Sequence, residues 1–301
     1  MTLRHFQGVY PILYAYYGQD GKLDRGAMRR QVEACVASGA HGLAILGLIT
    51  EGARLSREER LQVLNWAAAD LDGRLPLAVT VGDVTIEGQV DFLAAAKDVG
   101  AAWAILQPPP VKGTPEPEVI AFMSAVMERT TLPLAIQNFP GVMDVWLSHD
   151  GLLELKRRHA HFTLMKGEGP AVTVAELIRR AEGAFDVFSG QGGMEFIDSL
   201  DSGCAGMIPA LDVMDAQVKI FNLMRTGSPA DRVEAIRLHR EILPVIVFMM
   251  QSIAHALCYG KRLTARRLGL PEITVRQPER PPTAFGLSVL DRFYAQLGPL
   301  P

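Results

Sequence analysis

Short apolar runs alternate along this chain with longer segments in which apolar positions recur every three or four residues. The runs 9–14, 42–46, 77–81, 102–107, 134–138, 162–166, 185–189 and 203–208 are rich in Val, Ile, Leu and Phe, and lack the in-out alternation of a half-exposed strand. They predict eight strands buried on both faces. Between them, residues 24–37, 56–70, 86–99, 115–128, 171–182 and 212–224 carry amphipathic helical spacing, most with an N-capping residue or an early proline. Residues 148–158 carry the weakest version of that pattern.

Eight βα units of about thirty residues predict an α/β fold, a parallel (β/α)8 TIM barrel over residues 1–226. Residues 227–301 read as a C-terminal helical extension of the same domain, with a proline-rich link near 278–282. A doubly wound sheet is the second choice, but it wants a glycine-rich phosphate loop after the first strand, and Tyr14-Ala15-Tyr16-Tyr17-Gly18 is not one.

Charge narrows the partners. With a net charge of -3 and no basic stripe interleaved with aromatics, the chain is expected to bind neither nucleic acid nor a membrane surface, which leaves a small molecule. Residues 1–13 lack the layout of a secretory signal, so the cytoplasm is expected. The run 242–250 is interrupted by Pro244 and followed by polar residues, too short and too polar for a membrane span, and reads as a core or interface helix. Cys35, Cys204 and Cys258 are odd in number and far apart, which fits buried thiols better than disulfides or zinc. The seven histidines show no ligand spacing and most are expected at the surface; neither a metal nor a cofactor is expected.

In a parallel barrel the chemistry gathers at the carboxyl ends of the strands. Those ends read Gly47-Leu48-Ile49-Thr50-Glu51-Gly52, Gln107-Pro108-Pro109-Pro110, Gln137-Asn138-Phe139-Pro140, Lys166-Gly167-Glu168 and Ser189-Gly190-Gln191-Gly192-Gly193. Lys166 closes an apolar strand, where burial would favour the neutral amine that attacks a ketone to form a Schiff base; a lysine there can also simply snorkel to solvent. Glu51 reads as a structural tie to backbone N–H groups rather than a catalytic carboxylate. Two readings stay open for Glu168, a base beside the lysine or a partner of an arginine.

These residues, in this order and spacing, resemble the dihydrodipicolinate synthase and N-acetylneuraminate lyase superfamily of Schiff-base lyases and aldolases. The carriers are Gly8-Val9-Tyr10-Pro11, Gly47 to Glu51 with Leu55-Ser56-Arg57-Glu58-Glu59-Arg60, Pro108-Pro109, Asn138-Phe139-Pro140, Lys166 and Ser189-Gly190. The resemblance implies a barrel with C-terminal helices, assembled as a homo-oligomer, and Lys166 as the Schiff-base residue. It also implies a substrate pocket lined by Leu48, Ile49, Thr50, Asn138, Ser189, Gln191 and Ile208.

The departures from that pattern change the expected reaction. Gln137 stands where most relatives carry a tyrosine, and an amide orients a substrate oxygen but cannot exchange a proton near neutral pH. Leu48 and Ile49 replace a threonine pair, Thr50 stands where the main family has glycine, and Pro110 replaces a tyrosine. With Gln137 and a Lys-x-Glu pair, the site resembles the branch of 2-keto-3-deoxy-sugar-acid dehydratases. The expected function is therefore dehydration of such a 2-keto acid through a Lys166 iminium, with Glu168 and Gln137 as its catalytic companions. A pyruvate-dependent aldolase or synthase, and a barrel that only binds a keto acid, are the alternatives.

Overall fold

The computed structural model describes residues 5–109, 111–271, 273–276 and 280–301, so the Pro110 substitution and part of the 278–282 link lie outside the described residues. Eight strands are present: β1 (Gly8–Val9), β2 (Leu43–Ile45), β3 (Leu77–Val81), β4 (Trp103–Leu106), β5 (Leu134–Asn138), β6 (Phe162–Gly167), β7 (Asp186–Ser189) and β8 (Gly206–Met207). All pair in parallel, in the order β1-β8-β7-β6-β5-β4-β3-β2. Beyond β1, Ile12 bridges Ala44 of β2, with Ala44 N–H donating to Pro11 O at 2.9 Å and Leu13 N–H to Ala44 O at 3.1 Å. The two edges of the curled sheet thereby meet, and the (β/α)8 barrel closes.

β1 and β8 are shorter than the predicted 9–14 and 203–208. Pro11 and Pro209 have no N–H, so the ladder loses its regularity there, although Tyr10 and Ile12 still donate to Met207 O and Pro209 O. Gly203, at φ +98°, belongs to the turn before β8.

The helices that follow the strands are α1 (Arg25–Ala37), α2 (Arg57–Leu71), α3 (Ile86–Asp98), α4 (Glu116–Met127), α5 (His149–Arg158), α6 (Ala171–Ala181), α7 (Phe196–Asp201) and α8 (Met214–Arg225). Asp24, Ser56, Thr85 and Ser148 each accept from the backbone N–H three residues on, which fixes where α1, α2, α3 and α5 begin. α7 is required by the eight-unit pattern but its bounds are not readable from sequence, because six residues are too few to establish a helical period.

Inside the barrel, Tyr10, Trp103 and Phe188 pack at centroid distances of 5.2 to 5.6 Å, with Ala44, Ala78 and Ala135 opposite them. Large and small side chains thus fill the lumen as a solid core, leaving chemistry to the layer above it.

The C-terminal layer comprises α9 (Pro229–Met249), α10 (Ile253–His255), a π-helical turn (Ala256–Gly260), α11 (Lys261–Arg267) and α12 (Ala284–Leu297). Arg267, fully buried, ties it to the barrel by donating to Asp212 O at 2.7 Å and pairing with Asp215 at 2.8 Å. Of the two readings of this run, core or interface, Val245, Ile246 and Met249 of α9 take the first and face the chain's own core, while Val247 is exposed. No single helix among the described residues is long and apolar enough to cross a membrane.

The histidine expectation is also corrected. Only His5 is exposed, while His159 and His239 are buried and the other four are half-buried; the rings of His41, His159, His161 and His239 bond backbone or side chains of other elements. All three cysteines are buried.

Candidate active site

Side-chain parity along the strands builds the site. Leu164 lies in the lumen, so Lys166, two residues on, points the same way one layer higher. The register pairs Ala135 with Leu164 and Gln137 with Lys166, which brings Gln137 into that upper layer. Trp103 and Ile105 of β4 are lumen residues, and Gln107 follows them by the same rule.

Lys166 and Glu168 are each only 7% exposed at their side chains, and Lys166 Nζ lies 3.1 Å from Glu168 Oε1. The same oxygen accepts from Gln137 Nε2 at 2.5 Å, and Gln137 Oε1 accepts from Gln107 Nε2 at 2.8 Å. Glu168 Oε2 faces the Gln191 N–H at 3.4 Å, and the Glu168 N–H donates to Asn138 O at 2.9 Å. Glu168 therefore pairs with the lysine and the amide rather than with an arginine.

Leu48, Ile49, Lys166, Glu168, Gln191 and Ile208 line one cavity of about 60 Å³ between the barrel mouth and the C-terminal helices. Gln137 touches this group through Glu168. Three of the residues expected in the pocket do not line it, each for a visible reason. Thr50 Oγ1 donates to Leu13 O at 2.6 Å and accepts from Leu46 N–H at 3.0 Å, so its hydroxyl holds the β2 loop to the β1 loop. The Asn138 amide is bonded on both sides to the Leu147 backbone, at 2.8 and 2.9 Å. Ser189 is buried with its hydroxyl toward Gly206 O, at 3.4 Å.

Glu51 is a structural tie, though not to backbone. Its carboxylate meets Lys261 Nζ at 2.8 Å and Arg54 Nη1 at 3.1 Å.

The sequence reading missed Asp212, on the loop after β8, which lines the same cavity. Its Oδ1 accepts from Tyr14 and from Thr264, both at 2.8 Å. Burial pushes its carboxyl above the usual carboxylate range, against the pull of those two hydroxyls and of the Arg267 charge. In sequence it opens the predicted helix 212–224, and the signal that could have found it is its place four residues after Ile208, just past the end of β8.

The glycine run after β7 is pinned from outside. Gln217 Nε2 donates to Gly192 O at 2.8 Å, and His239 Nε2 to Gly193 O at 2.9 Å. Gln191 itself adopts φ +52°, a left-handed conformation that costs a non-glycine residue roughly 1–2 kcal/mol.

The chemistry available is that of a buried amine with a carboxylate in hydrogen-bond contact, beside an amide and under an apolar roof from Ile246, Met249 and Met250. Among the described residues no group of three or more His, Cys, Asp or Glu could hold a metal ion.

The model of the Dihydrodipicolinate synthetase family matches residues 5–285. A 4-hydroxy-tetrahydrodipicolinate synthase of Salinibacter ruber is 26% identical over 243 residues, 80% of each chain. An L-2-keto-3-deoxyarabonate dehydratase of Azospirillum brasilense is 25% identical over 81% of this chain and 80% of that protein. In structure, the chloride-inhibited dihydrodipicolinate synthase of Acinetobacter baumannii, solved with pyruvate, superposes with a TM-score of 0.88 at 22% identity, over 98% of this chain and 99% of that one.

Proposed function

Given that the chain belongs to the dihydrodipicolinate synthetase family, we propose that it is a Schiff-base lyase that removes water from a 2-keto-3-deoxy sugar acid. One observation carries this reading: Glu168 Oε1 is shared between Lys166 Nζ and Gln137 Nε2, so the amine has a base at hand and an amide where a phenol would serve aldol chemistry. The likeness to a 2-keto-3-deoxyarabonate dehydratase supports it.

In the proposed sequence, the neutral Lys166 amine adds to the C2 ketone and water leaves as the iminium forms. The iminium acidifies C3, Glu168 takes a C3 proton, and an enamine results. The enamine's electron pair expels the C4 hydroxyl, which leaves as water with the proton Glu168 took. A pentonate then holds a C3=C4 double bond conjugated to the iminium. Loss of a C5 proton and return of one to C3 give an enol that becomes the aldehyde, and hydrolysis frees Lys166. The net change is loss of one water. Gln137 keeps Glu168 aimed and exchanges no proton itself.

Leu48 and Ile49 supply no hydroxyl, so the substrate carboxylate is assigned to backbone N–H groups of the β2 loop. The chain is also proposed to act in the cytoplasm as a homo-oligomer, which sedimentation tests independently of activity.

The test is intact mass after borohydride reduction with pyruvate and with a 2-keto-3-deoxy-pentonate, followed by product analysis of the unreduced reaction. A reduced adduct with native protein, none with Lys166→Ala, and a semialdehyde product are expected. Pyruvate and an aldehyde as the products would replace dehydration with cleavage, and absence of any adduct would remove the Schiff base.

A further inference from the structure

Glu168 does not act alone with Gln137: a second amide, from another strand, stands behind the first. Gln107 Nε2 lies 2.8 Å from Gln137 Oε1, and Gln137 Nε2 lies 2.5 Å from Glu168 Oε1. An ionised carboxylate only accepts, so Gln137 must turn its N–H toward Glu168 and its carbonyl away. That carbonyl needs a donor, and Gln107 supplies it. The two amides therefore run head to tail, each strengthening the next as a donor.

Gln107 is itself held in place. Gln89, fully buried, donates from Nε2 to Gln107 O at 3.0 Å and to Asp83 O at 3.1 Å, fixing the backbone at the end of β4. Gly82 of the neighbouring loop leaves the space for the Gln107 amide, since a Cβ there would fall 2.7 Å from Gln107 Oε1.

We infer that Gln107 is a positioning residue: its N–H locks the Gln137 amide in the one orientation that donates to Glu168, and so keeps Glu168 aimed at the lysine. This deepens the proposed function and rests on Glu168 being the C3 base. The other groups facing Glu168 are Lys166 on its own strand and the Gln191 N–H after β7, with Asp212 after β8 on the same cavity.

Glutamate at position 107 reverses the logic. A carboxylate there cannot donate, so Gln137 turns over to donate outward and sets its carbonyl against Glu168. Protons then bind Glu168 more tightly. In full-length protein labelled with 13C at glutamate carboxyls, the Glu168 signal is assigned by its loss in Glu168→Gln and titrated. Gln107→Glu is expected to raise its midpoint by about one pH unit, tenfold in proton affinity. Gln107→Met, which removes the donor without adding an acceptor, is expected to raise it by less. An unchanged Glu168 midpoint in both variants overturns the inference, and Gln107→Met alone decides it if Gln107→Glu does not fold.

Solvent deuterium exchange at C3 of pyruvate, followed in parallel, separates this from the parent reading. Exchange by the native protein that is lost in Glu168→Gln supports the base, and its acid limb should move with the Glu168 midpoint. Exchange that survives Glu168→Gln removes Glu168 as the base whatever the titration shows.

Discussion

A Cβ built on Gly190 would stand 2.3 Å from Glu168 Oε2 and 2.5 Å from its Cγ and Cδ, so the glycine after β7 and the carboxylate after β6 share one space. Alanine at 190 therefore has to push Glu168 away from Lys166 and Gln137. Gly190→Ala is expected to cut C3 exchange by roughly a hundredfold or more, the scale of a lost general base. Its stability should also fall, by about 3–5 kcal/mol, because the displaced carboxylate leaves the buried Lys166 ammonium without its partner. Exchange kinetics beside a urea titration check this, and near-native exchange would show that Glu168 does not depend on that space. The residue scale is also where the sequence is least complete. Lys166 and Glu168 are legible as a strand-end pair, but Thr50 and Asn138 look equally suited to a substrate until their hydrogen bonds to Leu13 and Leu147 are seen.

At the scale of elements, the barrel and its C-terminal layer are joined by charges that should be costly to bury. Lys261 of α11 meets Glu51 of the β2 loop with side chains 3% and 5% exposed, and its ammonium lies 4.9 Å from the Tyr17 ring centroid. Removing Lys261 leaves the buried Glu51 carboxylate to the exposed Arg54, whereas removing both takes the two buried charges out of the interface. Lys261→Met is expected to destabilise by about 3–5 kcal/mol, and Glu51→Leu with Lys261→Met to recover most of that loss. Denaturation midpoints of the two variants decide it; a single variant as stable as the native would show the pair to be solvated. The boundaries of α1, α2, α3 and α5 are legible because capping is local, read from Asp24, Ser56, Thr85 and Ser148. β1 and β8 are less so, because where their pairing ends depends on Pro11 and Pro209 lying across from the partner strand.

Across the whole molecule, buried and half-buried imidazoles set a direction for acid stability. Burial lowers the proton affinity of His41, His159 and His161 below the ordinary histidine value. As pH falls through about 6.5 the unfolded chain takes up protons that the folded one refuses, so stability is lost from there down through the folded-state values. The urea midpoint is expected to decrease from pH 7.5 to 5.5; a constant or rising midpoint would show that these rings do not govern the response. The sequence by itself determined the eight-unit alternation, the parallel barrel and the place of Lys166, because strand burial, helix period and strand-end position are properties of neighbours along the chain. Tertiary structure alone decided that Gln107, Gln137 and Glu168 form one directed chain from three strands, and that Asp212 joins their cavity. Register and barrel closure bring those groups together from far apart in sequence, and the orientation of an amide is fixed only by the partners it then meets.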